Sequence, residues 1–327
     1  MIKLFYSKDW SLSSALDKIG YELLDTGAGE KLERFGKYIF VRPYEDAVWP
    51  KAIEMKEKWA KANGKFWSSK VGAKAGWKID KKIESKWEME YKGIKFFASP
   101  TPFRHLGFFP EQASHWDFIE DKIKQALKNK ENSAALPASG LRHGQNFPYS
   151  SGLKFLNLFG YTGVASLFAL RAGAEVTHLD ASKQTLAWAK ENQKLNTELA
   201  EAPMRIIEDD VLKFLEREEK RGNRYDAIIM DPPKFGRGPK GEIWKIEEML
   251  PRLLLQVRKV LSDKPLFVIL TSYAVDSSSL SLGYALADTM ADFKGNIEAG
   301  ELCVLEKSNN RIVSLANTAV WSRDMVQ

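Results

Sequence analysis

The sequence predicts an α/β protein: a doubly wound sheet of five parallel strands with a C-terminal antiparallel hairpin, preceded by a small α+β domain. Three observations lead there. From residue 153 onward, short apolar runs alternate with helical stretches in five successive units, the signature of a parallel sheet covered by helices on both faces. The last segment breaks that rhythm: two long apolar runs, 301–307 and 312–321, flank the polar turn Ser308-Asn309-Asn310-Arg311. Residues 1–100 hold short aromatic runs separated by turn residues, with little helical periodicity.

Taken in order, residues 1–50 read as short strands and turns, in which DTGAGE precedes the run Tyr38-Ile39-Phe40-Val41 that stops at Pro43. A helix is expected over 50–62, followed by β-hairpin material to about residue 99. The proline-rich stretch 100–112 reads as a joining loop. Residues 111–130 then read as a helix, with Trp116, Ile119, Ile123 and Leu127 on one stripe. A second loop is expected over 131–152, rich in Ser, Gly, Pro and Asn. The parallel strands are expected at 153–159, 175–180, 204–209, 225–230 and 265–271. The helices between and after them are expected at 163–172, 183–195, 211–221, 245–260 and 277–292. Two domains follow, 1–100 and 101–327.

Charge separates the two parts. Residues 1–95 carry 20 Lys/Arg against 14 Asp/Glu, whereas 96–327 carry 29 of each. Within 51–95, 13 lysines meet 6 acids, with Trp59, Trp67, Trp77 and Trp87 interleaved. Lysines suit phosphates and indoles suit unpaired bases; the same pattern also describes a solvated surface over a tryptophan-rich β core. The N-terminus lacks the apolar block of a secretory signal, and the longest uncharged stretch, 155–170, holds Asn157, Gly160, Thr162 and Gly163, a poor membrane span. The single cysteine, Cys303, cannot form an internal disulfide. A cytoplasmic protein is expected. The histidines are scattered and form no metal-ligand spacing, so no metal is expected.

Open α/β sheets bind ligands at the carboxyl ends of their strands. The first parallel strand runs into Asn157-Leu158-Phe159-Gly160-Tyr161-Thr162-Gly163, where glycines allow close approach of a ligand and a helix begins. A plain tight turn has the same composition. The second strand ends in Asp180-Ala181; a carboxylate there can accept from a ribose diol, or it can cap the next helix. The third ends in Asp209-Asp210-Val211, where an acid, Asp210 by preference, can reach an adenine amine or again serve as a cap. The most specific signal follows the fourth strand: Asp231-Pro232-Pro233-Lys234-Phe235. Two prolines fix the chain direction, and a rigid acidic wall suits a reacting cation held in line with its nucleophile.

Together these segments resemble bacterial S-adenosylmethionine (SAM)-dependent RNA methyltransferases, in particular the 23S rRNA group that includes cytosine-C5 and guanine-N7 enzymes. The resemblance covers roughly 100–327 and implies a Rossmann-like class I methyltransferase sheet, SAM as cofactor and RNA as partner. Gly107-Phe108-Phe109-Pro110-Glu111-Gln112 looks like that group's G-x-F-x-x-Q element, which implies cofactor contacts from Phe109 and Gln112. The group follows this Gln with Arg; here Ala113-Ser114-His115-Trp116 follows, leaving His115 and Trp116 as candidates for the methionine moiety, with a core position the stronger reading of Trp116. Residues 1–100 resemble the group's β-rich middle domain, without a leading PUA-type domain.

Cytosine-C5 transfer needs a cysteine thiolate after the fourth or fifth strand. Those positions read Asp231-Pro232-Pro233-Lys234 and Leu270-Thr271-Ser272-Tyr273, and Cys303 falls in the final hairpin. Direct attack by a base nitrogen is therefore expected, with the Asp231-Pro232-Pro233 turn as the catalytic wall. Lys234, Phe235, Arg237 and Tyr273 are the candidate substrate contacts, and 236–244 reads as a substrate-side lid or an ordinary solvent loop. A protein or small-molecule methyltransferase and a non-catalytic SAM- or RNA-binding module are the alternatives.

Overall fold

A computed structural model describes residues 2–10, 19–67, 75–133, 152–273 and 278–324. The chain forms two compact units. One comprises Met1–Leu4, His115–Glu301 and Ala316–Gln327; the other comprises Phe5–Ser114 and Leu302–Leu315. The division thus falls at 114/115 rather than at residue 100, and a C-terminal segment returns to the N-terminal unit.

Strand β1 (Lys3–Phe5) opens the chain. The N-terminal unit is then built on β2 (Tyr21–Gly27), β3 (Glu30–Phe35), β4 (Tyr38–Pro43), β5 (Gly64–Trp67) and β6 (Gly76–Ile79), adjacent in that order. All neighbours are antiparallel except β4 and β5, whose parallel pairing needs the crossover that contains helix α1 (Lys56–Ala60). A separate hairpin, β7 (Trp87–Tyr91) and β8 (Ile94–Ala98), completes its strands. Three of the four tryptophans in 51–95 are structural. Trp59 donates to Asp25 (2.7 Å), Trp77 donates to the carbonyls of Thr101 and Phe103 (2.9 Å each), and Trp87 donates to the Phe35 carbonyl (3.2 Å). Only Trp67 has a substantially exposed ring. Inside the unit, Glu33 accepts from Tyr21 (2.8 Å) and from both Nε and Nη2 of Arg42 (2.6 Å each). Burial alone would raise its pKa; the charges of Arg42 and Lys31, with those donated hydrogen bonds, hold it at about 2.

Helix α2 (Ala113–Ser133) leads into the second unit. Of the loop expected over 131–152, residues 131–133 belong to this helix and 134–151 lie outside the described residues. Strands β9 (Lys154–Leu158), β10 (Glu175–Asp180), β11 (Met204–Glu208) and β12 (Ala227–Met230) alternate with helices α3 (Val164–Arg171), α4 (Lys183–Leu195) and α5 (Val211–Lys220). A small hairpin, β13 (Phe235–Arg237) and β14 (Ile243–Lys245), precedes α6 (Ile246–Val260), β15 (Phe267–Ser272), α7 (Ser279–Thr289), β16 (Asn296–Leu305) and β17 (Ile312–Ser322). The eight-stranded sheet has the order β1-β16-β17-β15-β12-β9-β10-β11. Its five parallel strands are those expected; β17 runs antiparallel to β15, and β1 extends the edge beside β16. The chain proceeds from β9 outward to β10 and β11, then returns to β12 on β9's other side. That reversal opens a crevice at the carboxyl ends of β9 and β12. Among the described residues no helix is long and apolar enough to cross a membrane.

Candidate active site

The crevice is made first by the turn after β9. Phe159 (φ 59°) and Tyr161 (φ 51°) both lie in the left-handed region, where a bulky residue costs about 1–3 kcal/mol. Such a turn persists only where its surroundings dictate it. The Gly160 amide donates to the Leu179 carbonyl (2.8 Å), the Tyr161 amide donates to Asp180 Oδ2 (2.9 Å), and Asn192 Nδ2 donates to the Thr162 carbonyl (2.9 Å). Gly163 (φ 85°) closes the turn and starts α3.

Beneath the turn lies a residue that the sequence reading passed over. His178, two positions before Asp180 on β10, is fully buried and shares a 3.0 Å hydrogen bond between Nδ1 and Ser166 Oγ. Asn157, its register partner on β9, donates to the same Ser166 oxygen at 3.0 Å. Asn157, expected at the cofactor, is therefore a buried support of the turn. A Cβ on Gly160 would collide with Cε1 and Nδ1 of the imidazole, so the ring and the glycine require one another. Burial pushes the His178 pKa down to about 4, against the opposing pull of Asp180. Its Nε2, near the Tyr161 backbone, completes no hydrogen bond of good geometry among the described residues. The signal was present in the sequence: a histidine and an asparagine inside otherwise apolar strands.

Asp180 is not the cap of α4. That role belongs to Ser182, whose Oγ accepts from the Thr185 amide (3.3 Å). Asp180 Oδ1 accepts from the Ser182 amide and Thr185 Oγ1 (2.9 Å each), and Oδ2 from Tyr161. A carboxylate offers roughly four acceptor positions, so one remains on Oδ2. Ala181 beside it is half-buried. At the end of β11 Asp210 caps the next helix, its Oδ1 accepting from the Lys213 amide (3.0 Å) ahead of buried Val211. Asp209 pairs with Arg217 and accepts from the Asp210 amide (2.9 Å).

After β12, Asp231 is half-buried and Pro232 buried, whereas Pro233 and Lys234 are exposed. The Pro233 carbonyl accepts from Trp244 Nε1 at 2.6 Å, and the Trp244 ring meets Phe159 edge-on at 5.0 Å. Trp244 thus ties the Asp-Pro-Pro turn to the glycine turn. Residues 236–244, expected as a lid or loop, instead form most of the β13–β14 hairpin, with the tryptophan pointing inward. At the end of β15, Ser272 Oγ is buried without a partner among the described residues, and Tyr273 is half-buried.

The other candidates fall as follows. His115 is 1% exposed and shares a 3.2 Å hydrogen bond between Nε2 and Thr318 Oγ1 inside the fold; burial lowers its pKa to about 3. Trp116 stacks on Phe168 at 5.6 Å, as a core residue. In the N-terminal unit, Phe109 lies 4.8 Å from the His105 ring, and Gln112 is buried in the short turn Pro110–Gln112.

Comparison with known proteins decides the family. The family model for S-adenosylmethionine-dependent methyltransferases matches residues 107–265. A crystal structure of a SAM-dependent methyltransferase from Agrobacterium tumefaciens is 38% identical, with a TM-score of 0.81 over 98% of this chain and 94% of that one. The chain belongs to the SAM-dependent methyltransferases. Among curated relatives, ribosomal RNA large subunit methyltransferase K of Neisseria meningitidis serogroup B is 33% identical over 144 residues, 42% of this chain and 40% of that protein. Ribosomal RNA large subunit methyltransferase K/L of Hahella chejuensis is 43% identical over 95 residues, 29% of this chain and 13% of that protein. The chain therefore spans well under half the length of these two relatives.

The crevice of this methyltransferase fits a cofactor of that kind. Asp180 keeps acceptor capacity suited to a hydroxyl donor, and the acidic Asp231 turn suits a cation. The orphaned Ser272 hydroxyl, at the carboxyl end of β15, has the same unmet hydrogen-bonding capacity.

Proposed function

We propose that this methyltransferase modifies RNA, at a nitrogen of a ribosomal RNA base, by direct in-line transfer without a cysteine nucleophile. The observation that carries the reading is the rigid Asp231-Pro232-Pro233 turn at the carboxyl end of β12, beside the reversal point of the sheet. SAM, when bound, supplies an electrophilic methyl group on a sulfonium. The 159–163 turn and Asp180 hold the cofactor, with Asp180 at the ribose and Asp209-Asp210 at the adenine side. Asp231 orients the target nitrogen and receives its proton. Direct attack needs positioning and an acceptor more than covalent chemistry. The lone cysteine supports this choice: Cys303 is buried in β16, and no thiol follows β12 or β15. RNA as acceptor is supported by the names of the curated relatives and by the lysine excess in 51–95. A cytoplasmic location accords with such a substrate.

The test is transfer of labelled methyl from SAM to total RNA of a deletion strain, followed by nucleoside analysis. A methylated purine with label on nitrogen is expected. Asp231→Asn is expected to lower the rate by about 100-fold or more and to weaken SAM binding much less, by about tenfold at most. Label on a cytosine C5, or none on RNA while SAM binds, overturns the reading; the second outcome moves the acceptor to proteins or small molecules.

A further inference from the structure

We propose that the outward face of the β13–β14 hairpin is a platform for the single-stranded RNA flanking the target nucleotide. The inference rests on the RNA reading above and extends it to a surface and a strand state.

The hairpin is antiparallel, with Phe235 opposite Lys245, Gly236 opposite Trp244 and Arg237 opposite Ile243. Strand alternation sorts these side chains by face. Trp244 points inward and is anchored on Pro233 and Phe159, with Gly236 opposite it. Phe235, Arg237, Ile243 and Lys245 are all exposed. Phe235 is 56% and Ile243 55% exposed, so two large apolar groups stand in water on a strand pair of three residues each. Nothing in local folding asks for this exposure, since the inward tryptophan already fixes the hairpin.

The charge on this face is one-sided. Among the described residues Lys234, Arg237 and Lys240 have no ion-pair partner, and Lys245 pairs only with Glu248 on α6 (2.8 Å). The hairpin's one acid, Glu242, is occupied: it pairs with Lys213 on α5 (2.5 Å) and accepts from the Lys240 amide (2.9 Å). The turn 238–241 is rigid as well, with Pro239 in second place, Gly241 at φ 88° and the Gly238 amide on the Glu242 carbonyl (2.8 Å). A firm, cationic strip carrying an exposed aromatic ring fits a polyanion whose bases are free to stack, which a duplex does not provide. Its position matters too. The strip begins four residues after Asp231, and the Lys234 carbonyl is held by the Ile246 amide (3.1 Å). RNA lying on it therefore approaches the Asp-Pro-Pro turn directly.

The test measures binding of a fluorescein-labelled, unstructured 12-nucleotide RNA to the full chain with S-adenosylhomocysteine present, over a salt series. Phe235→Ala is expected to weaken binding about tenfold. Arg237→Glu is expected to weaken it and to flatten the salt slope by about 0.7 or more, the value for one phosphate contact on a single strand. Glu219→Gln, remote from the strip, is expected to change neither. Unchanged affinity in Phe235→Ala/Arg237→Glu, no binding by the wild type, or equal affinity for a 12-base-pair duplex overturns the proposal. So does loss of a dimer in the double variant at constant RNA affinity, which would assign the face to a second copy of the chain. The methyl-transfer assay on deletion-strain RNA reads the function separately. Methylation with an indifferent hairpin removes only the platform, and strip-dependent binding without methylation removes only the function.

Discussion

Gly160→Ala is expected to reduce SAM affinity about 10- to 100-fold, although alanine is the smallest side chain that could be added. The new Cβ falls against the buried imidazole of His178, which has no free side to move toward: Ser166 holds Nδ1 and β10 holds its backbone. Overpacking of this kind costs about 1–3 kcal/mol, and the cheapest relief is to lift the turn. Lifting it breaks the Gly160–Leu179 and Tyr161–Asp180 hydrogen bonds that keep Phe159 and Tyr161 left-handed. The proposed cofactor surface is lost with them. The decisive comparison is the double variant Gly160→Ala/His178→Ala. Removing the ring opens the space that the methyl group needs, so the double variant is expected to bind SAM better than Gly160→Ala alone. Calorimetric titration of the wild type, both single variants and the pair checks this. Wild-type affinity in Gly160→Ala would show that the ring does not hold the turn in place.

The second large effect is acid lability. In the unit that contains the main sheet, His115 and His178 are held neutral by burial, with pKa values of about 3 and about 4. In the unfolded chain both titrate near 6.5, as histidines do about that value. The unfolded state therefore binds two more protons than the folded state across the interval between those values. Stability is fully present above about 6.5 and falls as the pH drops toward about 4. Near pH 5 the slope is about 2.7 kcal/mol per pH unit for the pair. Carboxylates such as Glu218, held at about 2 by its ring of donors against the effect of burial, lose their contribution as the pH falls from the ordinary carboxylate value of about 4.5 toward 2. The interval from 6.5 to 4.5 thus isolates the histidines. Urea midpoints measured at pH 7, 6 and 5 are expected to fall steeply; His105 in the other unit, held at about 3 chiefly by burial, adds to the fall, so His115→Gln is expected to flatten it by about a third. A midpoint that stays constant from pH 7 to pH 5 would contradict the burial of these rings.

The elements that the sequence displayed are those whose boundaries carry local chemistry. Helix α4 begins and ends where it was expected, because Ser182 supplies a cap ahead of an amphipathic run. Strand β10 matches at both ends, and β12 is followed by the Asp231-Pro232-Pro233 turn because prolines cannot continue a buried ladder. What was hidden depends on contacts distant in sequence. Strands of three residues show no alternation worth reading, so β13 and β14 passed for a lid or a solvent loop, and the inward turn of Trp244 came only with its acceptor at Pro233. His115 looked available because its partner, Thr318, lies 203 positions away. Asp210 shows the opposite limit. Its two readings, cap and ligand, use the same carboxylate at the same helix start, and no local pattern separates them.

The return of Leu302–Leu315 to the N-terminal unit bears on how the protein is made. The ribosome finishes residues 5–114 early, yet that body lacks a piece. Glu306 supplies the acceptor for the Thr26 amide (2.6 Å), and Ser308 donates to Asp25 (2.6 Å). At about 5–20 residues per second, the missing segment emerges roughly 10–40 s after residue 114. During that wait the Thr26 amide lacks its native acceptor, and β2 lacks the bridge from Leu23 to Glu306. The unit whose residues leave the ribosome first thus cannot be completed until nearly the whole chain has been made.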